Sequence, residues 1–168
     1  AVSAANNTGE QTIAMLYERY QRALRAYNAV DFDDLIMIPV CLFREHPEVL
    51  AKWQQRIRYM LVDEYQDTNL AQYELVRTLV KEKQALTVVG DDDQSIYAWR
   101  GARPENLMQL QEDFTALKVI KLEQNYRSTG RILAAANQLI DNNPHLIQKA
   151  LWSELGPGDP LRFIISDN

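Results

Sequence analysis

The sequence predicts an α/β fold in which the buried strands of a parallel sheet are joined by helices. Four short apolar runs have the length and the flanking polar turns of buried strands. Helical patterns lie between the first and second runs and between the third and fourth. The four runs are Tyr59–Val62, Ala85–Val89, Lys118–Leu122 and Leu161–Ile165.

Three helices are predicted before the first of these runs. The first has apolar residues on one face, at three- and four-residue spacing: Ile13, Leu16, Tyr17, Tyr20 and Leu24. The second is expected to begin at the acidic cluster Asp31–Asp34, and Pro39 is expected to kink or interrupt it. Pro47 suits the first turn of a third helix, whose inward side chains are predicted to be Val49, Leu50, Trp53 and Ile57.

Two more helices are predicted among the strands. One follows a predicted capping pair, Asn69 and Gln72, and carries a helical apolar pattern: Leu70, Tyr73, Val76 and Val80. The other follows the third apolar run and carries a second such pattern: Ile132, Leu133, Ala136, Leu139 and Ile140.

Composition excludes several classes of protein. At 168 residues, 46% hydrophobic and 24% charged, the chain has the size and character of one globular domain or parts of two. No apolar run approaches the roughly 20 residues of a membrane helix, so no membrane partner is expected. The single cysteine, Cys41, permits no intrachain disulfide, which favours a cytoplasmic setting, and one cysteine with two histidines is too few for structural zinc. The net charge of −5 argues against a general nucleic-acid binder but permits binding in one local groove.

The segment LVDEYQDTN, residues 61–69, places two adjacent acids directly after the first apolar run. In an open α/β sheet, ligands bind outside the carboxyl ends of the strands. Asp63 can therefore hold Mg²⁺, and Glu64 can polarise an attacking water. Apolar–Asp–Glu patterns are common, however, and a solvated acidic turn explains the same residues.

The segment VVGDDDQSIYAWRGA, residues 88–102, follows the second run and brings Gln94, Tyr97, Trp99 and Arg100 into a short polar stretch. Aromatic faces beside a cation are what single-strand binders use to stack bases and hold phosphate. Three consecutive acids would repel a phosphate backbone unless a metal ion or an arginine sits among them. Taken alone, the same aromatics also fit a core edge or a protein contact.

The segment LEQNYRS, residues 122–128, places an aromatic residue and an arginine just before a predicted helix. Tyr126 could stack on a base, and Arg127 could reach a phosphate. The alternative is a helix start capped by Ser128, with a solvated Arg127.

Together, in this order, DEYQD, GDDDQSIYAWRGA and LEQNYRS resemble motifs II, III and IV of the superfamily 1 DNA helicases, in the UvrD/Rep/PcrA family. DFDDLI at residues 31–36 also resembles a segment of that family, and KVIKLEQNYRS followed by NNPH resembles its Rep branch. The resemblance implies part of a RecA-like parallel sheet flanked by helices. It further implies three regions: the end of an inserted helical subdomain (1–45), the back half of a first motor domain (46–123) and the start of a second (124–168).

The resemblance also implies roles for individual residues. Asp63 is similar to the family's Mg²⁺ residue, Glu64 to its catalytic base and Gln94 to the glutamine that senses the γ-phosphate. Tyr97 and Trp99 are similar to residues on the DNA path. Three residues are similar to nucleotide-binding residues of the family. Arg100 is similar to an arginine near the nucleotide, Tyr126 to the aromatic residue that stacks on adenine, and Arg127 to the arginine finger. The cofactors implied are ATP and Mg²⁺, and the implied partners are single-stranded DNA, DNA with a single-stranded tail, and replication or repair proteins.

One element of the family's ATP site is not in this sequence. None of its six glycines begins the phosphate-binding motif G-x-x-x-x-G-K-[ST]. The chain is therefore expected to be a fragment of a 3′-to-5′ DNA helicase and to be inactive as an ATPase. Alternatives are a stand-alone module that binds single-stranded DNA or a protein, and a nuclease–helicase of the RecB or AddA type.

Overall fold

The structure, a computed structural model, describes residues 8–165, and that range contains both helices and strands. Three helices come first, and the two strands lie on either side of the fourth helix. In chain order the elements are α1 (Thr8–Ala26), α2 (Asp34–Glu45), α3 (Pro47–Arg56), β1 (Met60–Val62), α4 (Leu70–Val80), β2 (Leu86–Val88), α5 (Asn106–Asp113) and α6 (Gly130–Ile140). Three short 3₁₀ turns follow the strands, at Tyr65–Asp67, Asp92–Gln94 and Ala98–Arg100.

The unit β1–α4–β2 positions the candidate site. The two strands are parallel, with Met60 opposite Leu86 and Val62 opposite Val88. Helix α4 makes the crossover and begins with a capping box: the Asn69 side chain accepts from the Gln72 amide, and the Gln72 side chain accepts from the Asn69 amide, both at 2.9 Å. The predicted strands at 59–62 and 85–89 and the capping pair are confirmed. Because the strands are parallel, the polar residues that follow them lie at the same edge.

The core lies on one face of this sheet, between α4 and α5. Six buried side chains form it: Tyr65, Tyr73, Val80, Leu107, Leu110 and Phe114. Helix α5 was not predicted, although Leu107, Leu110 and Phe114 have helical spacing, because eight residues give only two turns of pattern. The helix places Leu110 in the centre of the core, with 1% of its surface exposed.

The N-terminal helices follow the prediction with two corrections. Helix α2 begins at the acidic cluster, where the Asp34 amide donates to Asp31 Oδ1 (2.9 Å), and it packs on α3 and α4. It is not interrupted at Pro39: proline removes one hydrogen bond, and the helix continues to Glu45. In α3 the predicted inward residues are half-buried except Trp53, which is 42% exposed beneath the Arg56 guanidinium (5.3 Å from its ring centre).

Helices α1 and α6 form where they were predicted. Much of their apolar pattern faces outward, because few elements pack against them. In α1 the exposed residues include Ile13, Leu16 and Tyr17, and in α6 only Leu133 is buried among the residues described. None of the helices within residues 8–165 combines the length and apolar character needed to cross a bilayer.

The two remaining predicted strands are wrong. Lys118–Leu122 and Leu161–Ile165 have no regular secondary structure, and their apolar side chains are exposed; Leu122 and Phe163 are 80% and 93% exposed. An extended run becomes a strand only when a neighbour supplies its hydrogen-bond ladder, and in the described residues that region has a single isolated bridge, Gln124 to Trp152. Within residues 8–165 the sheet therefore has two strands rather than the four expected.

The predicted domain boundaries, 1–45, 46–123 and 124–168, stay predictions, as does the RecA-like character of the sheet. Residues 1–7 of the first region and 166–168 of the third lie outside the described residues. Helix α3 begins two residues after the first boundary, and the Gln124–Trp152 bridge lies beside the second.

Leu110→Ala is expected to lower the free energy of unfolding by about 2–5 kcal/mol, because it removes a fully buried side chain and leaves a cavity. Leu139→Ala is the matched control: that leucine is 73% exposed on α6, so the same truncation should cost less than about 0.5 kcal/mol. Urea unfolding of both variants is the measurement. Equal losses would mean that the core does not centre on α5.

Candidate functional site

The acidic pair Asp63–Glu64 lies immediately after β1, at the carboxyl edge of the sheet. Both residues are exposed, and the Glu64 amide donates to Asp63 Oδ1 at 2.9 Å. Glu64 has a left-handed backbone (φ 50°), which is uncommon for a residue with a side chain and turns the chain away from the strand direction. The acids are thus at a sharp turn at the strand end, as the sequence predicted.

Gln66 connects this turn to the one after β2. Its side chain is buried, with 1% of the residue exposed, and it bonds on both sides. Nε2 donates to Glu64 Oε2 (2.8 Å), and Oε1 accepts from the Asp91 amide (3.0 Å). A Cβ added to Gly90 would lie 2.9 Å from Gln66 Oε1, so a glycine there lets the two turns approach. Gln66 therefore holds the Glu64 carboxylate at a fixed place beside the second turn.

The turn after β2 is organised by Asp91. Its Oδ1 accepts from the Asp93 amide (3.2 Å), and its Oδ2 accepts from Gln94 Nε2 (2.7 Å). Gln94 itself is exposed. The structure therefore brings Gln94 to the same edge as Glu64, because both turns follow paired strands and both are held by the Gln66–Asp91 connection.

The three consecutive acids of this turn have a cation among them. Lys149 Nζ lies 2.5 Å from an oxygen of Asp91, 2.6 Å from one of Asp92 and 2.9 Å from one of Asp93. Burial raises the pKa of Asp91 and of Asp92. The hydrogen bond and the charge of Lys149, together with the other hydrogen bonds that each carboxylate accepts, outweigh burial and hold each pKa below its ordinary value. Burial lowers the pKa of Lys149, and its bonds to the three carboxylates outweigh this and raise that pKa.

Tyr97, Trp99 and Arg100 form an exposed aromatic–cation cluster just beyond the acidic turn. The two ring centres are 6.5 Å apart, and the Arg100 guanidinium lies 5.3 Å from the Tyr97 ring centre and 4.5 Å from that of Trp99. Trp99 is 75% exposed. Flat apolar faces and a positive charge are therefore presented together to solvent, the combination that stacks bases and attracts a phosphate backbone.

Tyr126 and Arg127 lie in a separate exposed turn between the Gln124–Trp152 bridge and α6. The Tyr126 hydroxyl donates to Gln124 Oε1 (2.9 Å), and the Arg127 amide donates to Asn125 Oδ1 (2.9 Å). These contacts are local, and no contact among the described residues joins either side chain to Glu64 or Gln94. Helix α6 begins at Gly130 after Thr129, so the alternative of a helix start capped by Ser128 is wrong.

Asp63 and Glu64 are the residues that fit a magnesium ion. Within residues 8–165 neither carboxylate pairs with a Lys, Arg or His side chain, and both are accessible. Mg²⁺ is held in nucleotide sites by one or two carboxylates, with water and substrate phosphate completing its octahedron. Asp91, Asp92 and Asp93 form a tighter group, in which one carboxylate oxygen of each residue lies within 4.8 Å of the others. The ammonium of Lys149 already occupies that group.

With the site described, comparison with known proteins identifies the family. The UvrD/REP helicase N-terminal domain family matches residues 2–115, about two thirds of the chain. The chain belongs to the UvrD/Rep helicase family. The matched range includes β1, β2 and both turns of the site, whereas the turn at Tyr126–Arg127 lies beyond it.

Individual members of the UvrD/Rep family match along the whole chain. The ATP-dependent DNA helicase Rep of Escherichia coli (strain K12) is 57% identical over all 168 residues, which correspond to 25% of that protein. Rep of Salmonella typhimurium is 56% identical over the same length, and PcrA of Leuconostoc citreum is 48% identical over 160 residues, 95% of this chain and 21% of PcrA. The chain thus spans about a quarter of the length of the curated relatives it matches, and the family resemblance is confirmed.

Two site residues were not predicted from the sequence. Gln66 lies inside DEYQD, and its position two residues after Glu64 in a tight turn was a usable signal, because such a side chain can reach back to the acid. Lys149 lies 58 residues beyond Asp91, and no local pattern indicated it. The only signal was the mutual repulsion of three adjacent carboxylates, which favours a cationic group among them but does not indicate which one.

Gln66→Ala is expected to lower the free energy of unfolding by about 1–3 kcal/mol, because it leaves the Asp91 amide without its partner. Gln109→Ala is the control, since Gln109 is exposed on α5 and bonds only Glu112, and its loss should be below about 0.5 kcal/mol. Urea unfolding compares the two variants. A cost for Gln66→Ala no greater than the control's would contradict the bridging role.

Proposed function

We propose that the chain is the part of an ATP-dependent DNA helicase that joins ATP hydrolysis to movement in the 3′-to-5′ direction on single-stranded DNA. One observation carries the proposal. In a member of the UvrD/Rep family, the paired strands β1 and β2 bring Glu64 and Gln94 to one edge, and the exposed Tyr97–Trp99–Arg100 cluster follows directly. A phosphate-facing group and a base-stacking group are therefore only a few residues apart.

At the nucleotide side, the proposed roles follow the chemistry of each side chain. Glu64, held by Gln66, accepts a proton from the attacking water, and Gln94 contacts the γ-phosphate. Asp63 would hold Mg²⁺, which when bound neutralises phosphate charge. Arg127 would add positive charge at the phosphates, and Tyr126, 77% exposed, would offer a face to adenine.

At the DNA side, Trp99 and Tyr97 supply stacking faces, and Arg100 supplies charge. Arg100 lies over both rings, so its guanidinium serves this cluster as well as the nucleotide contact proposed from the resemblance. Stacking tolerates any base, which suits a protein that moves along DNA. The proposed partners are single-stranded DNA and duplexes with a single-stranded tail, in cytoplasmic replication or repair.

The proposal includes the architecture. The parallel pair β1–β2 with its crossover helix is the part of a RecA-like motor domain represented here, α1 and α2 belong to an inserted helical subdomain, and residues 124–168 begin a second motor domain. The names of the relatives, ATP-dependent DNA helicases Rep and PcrA, support the ATP and DNA parts of the proposal.

A second candidate is a module that binds single-stranded DNA without turnover. Two observations favour it: Trp99 is exposed beside Arg100, and the sequence contains no G-x-x-x-x-G-K-[ST] motif to hold phosphates. Both candidates require the Trp99 face to bind DNA. They differ in whether Glu64 contributes to phosphate release.

Trp99→Ala is expected to weaken the binding of a fluorescein-labelled single-stranded oligonucleotide by roughly fivefold to 150-fold, the loss of about 1–3 kcal/mol of stacking. Trp53→Ala is the matched control, because Trp53 is also exposed beneath an arginine but lies on α3, away from the site. Fluorescence anisotropy at fixed salt gives both affinities. Equal weakening by the two variants would remove Trp99 from the DNA face.

The 168-residue chain is expected to release no phosphate from ATP above background, with or without single-stranded DNA, because Asp63 and Glu64 have no phosphate-binding loop opposite them. A phosphate-release assay with Mg²⁺ measures this, and Glu64→Gln is the control. Release by the unaltered chain that Glu64→Gln abolishes would show that this expectation of inactivity is wrong and that Glu64 acts on water.

A further inference from the structure

The segment at residues 145–149 docks on the acidic turn after β2. Besides the three contacts of Lys149, His145 Nδ1 lies 3.2 Å from Asp93 Oδ1. The amides of Leu146 and Ile147 both donate to Asp92 Oδ2, at 2.9 and 3.3 Å. The segment has no helix or strand of its own, so these contacts, together with the bond from Lys121 Nζ to the Gln148 carbonyl, hold its position.

An ammonium group suits the centre of this turn. It has three donors and no acceptor, and here three carboxylates each present an oxygen within 2.9 Å. The Lys149 side chain is mostly buried, and so is that of Asp92. Removing the ammonium would leave three like charges together with little water to screen them.

The same contacts lead to Gln94. Lys149 holds Oδ1 of Asp91, while Oδ2 of that carboxylate holds the Gln94 side chain at 2.7 Å. Both oxygens of Asp91 are therefore used, one on each side. Oδ1 also accepts from the Asp93 amide (3.2 Å), so Lys149 and that amide together orient the carboxylate whose other oxygen accepts from Gln94.

We propose that Lys149 is a positioning residue, which orients Asp91 and through it Gln94, and neutralises the turn beside the Trp99 face so that a phosphate backbone can approach. Through the segment 145–149, the part of the chain after α6 then acts on the acidic turn after β2. The role of Gln94 and the DNA face rest on the proposed function, whereas the docking of the segment does not.

The test compares Lys149→Met and Lys149→Arg with Lys52→Met, in which an exposed lysine on α3 loses the same charge away from the turn. In ¹⁵N-labelled chain, Lys149→Met is expected to shift the backbone and side-chain amide signals of Gln94 together with the amide signals of residues 146 and 147. It is also expected to weaken oligonucleotide binding about threefold to tenfold. Lys149→Arg should restore most of the affinity, and Lys52→Met should change neither measurement.

Asp91→Asn is the second variant, in case Lys149→Met does not fold, because asparagine keeps the shape of aspartate but has only one acceptor oxygen and cannot serve Lys149 and Gln94 together. It should shift the side-chain amide signals of Gln94. Unchanged Gln94 signals in folded Lys149→Met, or in Asp91→Asn, overturn the positioning role. If the unaltered chain binds no oligonucleotide, the DNA face of the proposed function fails, while the amide signals still decide whether Lys149 positions Gln94.

Discussion

Two backbone hydrogen bonds just beyond the strands hold the candidate site together. The Val89 amide donates to the Val62 carbonyl (2.8 Å), and the Tyr65 amide donates to the Val89 carbonyl (3.0 Å). They extend the parallel pairing past β1 and β2, so the chain leaves both strands at the same level. Gln66 and Asp91 then meet, and every further contact of the site, from Glu64 to Lys149, follows from this register. A shift of one residue would reverse the faces of the side chains and separate the two turns.

Charge in this molecule is organised locally. The net charge of −5 gave little indication of a nucleic-acid partner, yet the acidic turn carries its own cation and is followed at once by Arg100 over two aromatic rings. Within a few residues the surface changes from neutralised acids to a cationic, aromatic face. Local potential rather than total charge decides what such a surface attracts.

The sequence predicted the parts of the fold and site that depend on short-range chemistry. The β1 and β2 runs and the Asn69–Gln72 capping box follow from a few neighbouring residues. It failed where the outcome depends on distant partners. Lys118–Leu122 pairs with no strand among the described residues, helix α2 continues through Pro39, and Trp53 is covered by Arg56 rather than by the core. Lys149 reaches the acids through tertiary structure alone. The roles of the site residues stay predictions, because the family match identifies the helicase family and not the action of each side chain.

The exposed run Leu161–Ile165 affects how the molecule behaves in solution. Its apolar side chains are exposed, and within residues 8–165 its backbone pairs with no strand, which is the surface that β-strands of neighbouring molecules add to. Two copies meeting there gain both a hydrogen-bond ladder and apolar contact. Association of copies through this segment would therefore increase with protein concentration. It would not depend on how firmly the β1–α4–β2 core is folded.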